Sequence, residues 1–333
     1  MDYKIVRLRF LAILIVVFGH SIIIYDPNWQ VYATTNVVNL LMYIKHLINT
    51  FQMPLFIFIS GFCFGYSLKK HRINRLSDSI HFIVEKSKRL IVPFFFIAIF
   101  WMLPIRIMCR YPSWKSITIF SILKQLILGI DSGHLWFLPT LFIIFILSIL
   151  FCPRINIEKQ NIIILVFLFV VSVFSNKLPS VFFIKNISYG LYWFYLGFIF
   201  CNYKHKINNL FKDERTILAL VIINFLILLA IVLYFKENLL ITMFTEFFVS
   251  SLIILLYFLV SDCRTSVFVD LISKYSMGIY LFHSPLIYFV YSYYPNLLPV
   301  VVVFINFICM GLLSFSITHF FVKNKHIKWL IGY

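Results

Sequence analysis

Charge is what this sequence has least of. Charged residues make up 12% of the 333, against about 25% in a typical soluble domain, while hydrophobic residues make up 62%. A soluble globular fold is excluded on that ground. No long polar stretch interrupts the apolar segments, so a soluble second domain has nowhere to sit. There is no CxxC pair among the six cysteines (63, 109, 152, 201, 263 and 309), which lie inside or at the ends of apolar runs. A disulfide framework or a zinc site is therefore not expected, and no metal is assigned. No Walker loop, dinucleotide fingerprint, internal repeat or low-complexity linker is present, so direct nucleotide hydrolysis is not indicated. After the first apolar run there is no small-residue cleavage site, and that run reads as a retained span.

What remains is a polytopic all-α membrane protein in one domain, residues 1–333. At about 20 apolar residues per span, ten windows qualify: 9–25, 46–67, 89–108, 134–152, 161–176, 186–203, 216–235, 239–261, 274–294 and 298–322. Residues 36–45 and 114–129 read as amphipathic helices at the interface. The net charge of +17 comes from basic residues in short loops between spans. That is the positive-inside pattern, not a nucleic-acid patch. With the N-terminus cytoplasmic, 21 of the 29 basic residues fall inside, among them Arg72, Arg75, Arg154 and Lys212. Eight fall outside: Lys45, Arg106, Arg110, Lys115, Lys124, Lys177, Lys185 and Lys236. Both termini are then cytoplasmic, in keeping with an even span count.

The first apolar segment carries the sharpest signal. Arg9 and His20 bracket ten uncharged residues. Eleven helical positions turn through about 1100°, leaving the two side chains roughly 20° apart on one face. They also rise about 16 Å, roughly half a hydrocarbon core. An ionisable group at that depth is a functional-site hypothesis by default. The bland readings are a snorkelling arginine anchor and a hydrogen-bonded packing histidine; the shared face favours catalysis for His20.

Arg9 and His20 resemble the arginine, ten residues, histidine motif of the membrane-bound acyltransferase 3 family. Phe51-Gln-Met-Pro-Leu-Phe-Ile-Phe-Ile-Ser-Gly-Phe62 is similar to the second signature of the fucose 4-O-acetylase-like branch. His134-Leu-Trp-Phe-Leu-Pro139 and Gly278-Ile-Tyr-Leu-Phe-His283 resemble two further blocks, in family order. The resemblance implies an O-acyltransferase acting on glycans or lipid-linked sugars, with acetyl-CoA the commonest donor. It also implies no tightly bound cofactor, the acyl-CoA being a co-substrate, and a bacterial plasma-membrane location. Some relatives carry an extra esterase-like domain, which is not expected here.

Residue roles follow from these depths. His20 is the expected general base, since a neutral imidazole can take the proton of an attacking sugar hydroxyl. Glu246, the sole carboxylate within the spans, is a candidate to orient it; a salt bridge elsewhere or a protonated carboxyl are alternatives. Arg9 and Arg89 are expected near the donor phosphates. The Lys69–Arg89 loop, with seven cations, suits either CoA or anionic lipid headgroups. Ser60 belongs to the second signature and either packs or leaves room for the pantetheine arm. His134, Trp136 and His283 are expected near the acceptor, with Trp136 equally suited to an interfacial anchor. His319, Asn224 and Asn306 read as structural. The alternative function is a transporter or flippase of lipid-linked sugars, in which Arg9 and His20 hold a pyrophosphate headgroup. Expected partners are acyl-CoA, the glycan acceptor and membrane lipids, with no nucleic acid; oligomeric state is open.

Overall fold

A computed structural model describes all residues except 1, 30, 33, 35–37, 71–75, 113–117, 152–157, 209–210, 212 and 237. Arg72, Arg75, Lys115, Cys152, Arg154 and Lys212 lie outside the described residues. Among the described residues there are helices and no strands: α1 (Tyr3–Ser21), α2 (Asn39–Lys70), α3 (Leu76–Ile97), α4 (Leu103–Met108), α5 (Ile119–Leu128), α6 (Phe137–Phe151), α7 (Glu158–Val173), α8 (Ile184–Ile207), α9 (Glu214–Tyr234), α10 (Leu239–Leu259), α11 (Val267–Tyr293), α12 (Pro299–Phe304) and α13 (Met310–Lys323). A helix suits an apolar chain in lipid because every backbone group is satisfied within the segment.

Among the described residues, six helical runs are long and apolar enough to cross a membrane: 39–69, 77–108, 119–150, 214–234, 239–259 and 299–323. The run 119–150 is interrupted at Gly129 and Gly133, both at positive φ. Each of the ten apolar windows falls on helix, with shifted ends. Two local expectations change. Of the expected interfacial helix 36–45, residues 36 and 37 lie outside the described residues, and 39–45 are the first turns of α2 and not a separate helix, because the helix continues through Lys45 and His46 without a break. The basic stretch before Arg89 is helical from Leu76, and Phe82, Leu90 and Phe94 recur at helical spacing and are buried. Lys86 on that face lies over the rings of Phe82 and Phe145, at 4.9 and 4.4 Å.

The chain packs as two compact units, each drawn from three stretches: Met1–Arg9, Thr50–Lys86 and Thr140–Ser266, and Phe10–Asn49, Ser87–Pro139 and Val267–Tyr333. The first unit is built around the crossing of α2 and α8. A Cβ on Gly61 would stand 1.9 Å from the Phe194 carbonyl oxygen, and one on Gly197 2.1 Å from that of Phe58. The two backbones touch where only glycine leaves room. Phe58, Phe62, Phe64, Trp193, Phe194 and Phe200 are buried around that crossing. Large apolar residues on the outer faces of α7 and α9 stay exposed, Ile163, Phe167, Ile222 and Leu226 among them. Such surface is stable in lipid and not in water. The protein is an integral, multi-pass membrane protein.

The second unit packs α11 against α13 and α4. Its backbone irregularities have identifiable uses. Pro285 inside α11 has no N–H, so the Leu281 carbonyl four residues earlier lacks its helical donor and is free for another partner. π-helical turns occur at Ala98–Met102 and Ile305–Cys309, and from the first of these Trp101 donates to the Phe282 carbonyl at 3.2 Å.

Candidate active site

Three histidines from distant parts of the sequence meet in the second unit. His20 ends α1, His134 sits in the 3-10 turn before α6, and His283 lies in the middle of α11. The rings of His20 and His283 are edge to face with centroids 4.9 Å apart; His134 and His283 are 5.8 Å apart. His134 and His283 are buried, at 6% and 1% exposure.

Backbone carbonyls fix the tautomer of each ring. The Val16 carbonyl lies 2.9 Å from Nδ1 of His20. The carbonyls of Ile279 and Tyr280 lie 3.0 and 2.9 Å from Nδ1 of His283. A carbonyl only accepts, so both Nδ1 atoms carry the proton and both Nε2 atoms present lone pairs. In His134 the assignment is reversed: Nε2 donates to the Leu281 carbonyl at 3.1 Å, the group released by Pro285, and Nδ1 holds the lone pair. Nε2 of His283 and Nδ1 of His134 are buried without a hydrogen-bond partner. The cluster is thus rich in acceptors, which is what a base or a binder of hydroxyl groups requires. Among the described residues, no group of three or more His, Cys, Asp or Glu has the geometry to hold a metal.

The supports of this cluster are traceable. Tyr280 donates to the His134 carbonyl, and Tyr291 donates to the carbonyls of Ser21 and His20, at 2.7 and 3.1 Å. Arg106 on α4 is fully buried and pairs with Asp131 at 3.1 Å. Its guanidinium lies 4.1 Å from the Tyr111 ring centroid. Gly133, at φ +54°, passes so close under Arg106 that a Cβ would stand 2.5 Å from Nη2. Glycine therefore precedes His134 by necessity, and the Arg106–Asp131 pair pins the loop that delivers the imidazole.

Lys45, near the start of α2, is buried at 3% exposure. It has no hydrogen bond or ion pair among the described residues. The buried carboxylate of Asp26 receives the Asn28 N–H at 2.9 Å and faces His46 at 3.4 Å.

The remaining expected site residues lie as follows. In the first unit, Arg9 donates to the Cys63 sulfur at 3.4 Å. It lines a cleft of about 160 Å³ with Asp2, Ile5, Val6, Phe62, Cys63 and Tyr66. Ser60, three residues before Cys63 on α2, gives its hydroxyl to the Phe56 carbonyl at 2.9 Å. Glu246 also belongs to the first unit; Ser172 donates to its Oε1 at 3.0 Å, and Oε2 is buried without a partner. The atom that holds the Nδ1 proton of His20 is the Val16 carbonyl and not a carboxylate. In the second unit, Arg89 is exposed on α3, and Trp136 is half-buried with its ring at 6.3 Å from Phe137. His319 is engaged with Tyr275 at 3.1 Å, and Asn224 with the Leu220 carbonyl at 2.9 Å.

A family model described as an acyltransferase domain matches residues 2–319. The chain belongs to the acyltransferase 3 family. No curated protein and no solved structure matches it. The family match runs through the Arg9–His20 pair, the α2 signature and the blocks containing His134 and His283, and it makes the protein a membrane acyltransferase.

Sequence inspection singled out His20, His134 and His283 separately, but it missed Lys45 and Arg106, counting both as outward-facing cations. A signal for Lys45 was present: no acidic residue lies within a helical turn of it on either side.

Proposed function

We propose that the protein is an O-acyltransferase of the bacterial plasma membrane. It moves an acyl group, acetyl in the first instance, from cytoplasmic acyl-CoA to a hydroxyl of a surface polysaccharide or a lipid-linked glycan. The observation that carries this reading is the acceptor-rich histidine cluster built around His20, eleven residues after Arg9 on the same helix.

A sugar hydroxyl is a weak nucleophile at neutral pH, and His20 Nε2 presents the lone pair that takes its proton as oxygen attacks the thioester carbonyl. The Val16 carbonyl keeps that lone pair on Nε2 throughout the approach. Collapse of the tetrahedral intermediate breaks the C–S bond, and the CoA thiolate leaves with the proton from His20. The unpartnered ring nitrogens of His134 and His283 accept hydrogen bonds from other hydroxyls of the sugar, with Trp136 beside them. Arg9 meets the donor at the cytoplasmic end, Arg89 its phosphates, and Ser60 leaves space for the thin pantetheine arm. This assignment has ten spans in one domain, with both termini in the cytoplasm.

Binding of radiolabelled CoA to the purified protein in lipid tests the donor half. We expect saturable binding that weakens in Arg9→Ala. Absence of binding, together with movement of lipid-linked sugar across vesicles that is independent of CoA, would sink the enzyme reading in favour of a transporter.

A further inference from the structure

Two hydrogen-bond acceptors stand side by side in the second unit, and a general base needs only one. Nδ1 of His20 is tied to the Val16 carbonyl, one turn back on α1. Nδ1 of His283 is tied to the Ile279 and Tyr280 carbonyls, one turn back on α11. In both rings the nitrogen nearer the backbone is thus occupied by its own helix, and the distal Nε2 faces away from that helix with a lone pair. The rings meet edge to face at 4.9 Å between centroids, which is direct contact. His20 is half-buried, whereas His283 is 1% exposed and its Nε2 has no hydrogen-bond partner among the described residues. A buried acceptor left empty is costly, and only a donor fills it. Beside a base that takes the proton of one hydroxyl, the matching donor is a second hydroxyl of the same molecule.

We propose that His283 is a specificity-determining residue that selects acceptors with free hydroxyls on two adjacent carbons. The proposal rests on the acyltransferase reading above and narrows its substrate class to sugars with a vicinal diol. One hydroxyl passes its proton to His20 Nε2 as its oxygen bonds to the thioester carbon. The C–S bond then breaks, and CoA leaves as a thiolate that takes the His20 proton. The neighbouring hydroxyl stays intact and donates a hydrogen bond to His283 Nε2. Staggered hydroxyls on adjacent carbons stand close together, which suits two rings in contact; hydroxyls farther round a sugar ring diverge. An acceptor with hydrogen or fluorine at the neighbouring position brings no donor and leaves Nε2 empty. A site built to bind a hydroxyl rejects the analogue without it more strongly than an apolar pocket discriminates by size.

The test begins with wild type purified in lipid, labelled acetyl-CoA, and free and lipid-linked surface glycans. The labelled product is mapped by NMR, which needs no variant. We expect the acetyl group on a sugar with a free hydroxyl on an adjacent carbon; an acetyl flanked by no free hydroxyl overturns the proposal. Methyl glycosides of the mapped sugar then carry that neighbouring hydroxyl intact or replaced by hydrogen or fluorine. Either replacement should lower kcat/KM by about 10–10², the effect of leaving one buried acceptor unsatisfied, with KM for acetyl-CoA unchanged. His283→Phe should bring the intact glycoside down to the level of the replaced ones and leave those where they were. Equal wild-type rates on all three glycosides overturn the role of His283, leave the acyltransferase reading intact, and make water the donor to Nε2. A His283→Phe protein that loses transfer to all three alike makes the histidine part of the catalysis or of the fold, and overturns it as well. A wild type that labels no glycan removes the acyltransferase reading itself, and the role of His283 with it.

Discussion

The two units of this chain differ in what their buried polar side chains gather around. The first is a scaffold of aromatic rings and glycine contacts, in which several polar side chains close on one another. Lys204 pairs with Asp2 at 2.7 Å and donates to Tyr257 at 2.9 Å, and Tyr195 donates to Asn161 at 2.9 Å. The second unit brings three imidazoles together, two of them with a buried ring nitrogen that has no hydrogen-bond partner among the described residues. A structural polar group in an apolar interior finds its partner in the fold, because an unsatisfied one is expensive. A functional one waits for its partner in the substrate. The contrast separates Glu246, held by Ser172 on one oxygen, from the ring nitrogens of His134 and His283, which have no hydrogen-bond partner among the described residues.

The largest change we expect comes from the one buried ion pair that supports the cluster. Arg106→Ala removes the cation that pairs with Asp131, and breaking a buried pair costs about 3–5 kcal/mol. Thermal unfolding in lipid should reveal the loss, and activity should fall with it. Next is the scaffold itself. Gly61→Val places a side chain where the Phe194 carbonyl stands, and overpacking of this kind costs about 1–3 kcal/mol. Here the unfolding temperature should drop while kcat of the surviving folded protein stays near wild type. An equal loss of kcat would mean that the α2–α8 crossing belongs to the catalytic machinery. A smaller effect is expected from Glu246→Gln, whose amide oxygen still accepts from Ser172. Its kcat should remain close to wild type, and a collapse of rate with unchanged stability would restore the carboxylate as the partner of His20.

The smallest effect concerns the end of α9. Asp213 caps it, and the hydroxyl and N–H of Thr216 hold its carboxyl below the usual carboxylate range. A depressed folded value stabilises above the unfolded value and is lost as pH falls through the folded one. Asp213→Ala should therefore lower the unfolding temperature slightly near neutral pH, and the difference should fade in acid. A difference that persisted in acid would assign the effect to something other than the carboxylate.

Much of this was legible in the residues, and the exceptions have physical causes. Apolar windows located the helices because hydrophobic length is dictated by the bilayer. The Arg9–His20 spacing was legible because both lie on one continuous helix, α1, whose period is fixed. The meeting of His20, His134 and His283 was not, since it depends on the packing of three segments that the sequence keeps more than a hundred residues apart. Lys45 and Arg106 were misread for a related reason. Counting basic residues by loop assigns a side of the membrane but no depth, and both are buried. The basic stretch before Arg89 looked like a loop on charge alone, yet Phe82 and Leu90 carried the helical period through it.

The most direct test follows label from radiolabelled acetyl-CoA into free and lipid-linked surface glycans, using wild type and His20→Ala purified in lipid and matched for unfolding temperature. Loss of a general base costs about 10²–10⁴ in rate. Transfer by wild type, with that loss in His20→Ala and retained CoA binding, is the expected result. Equal transfer by the two proteins would contradict the assignment of His20 as the base.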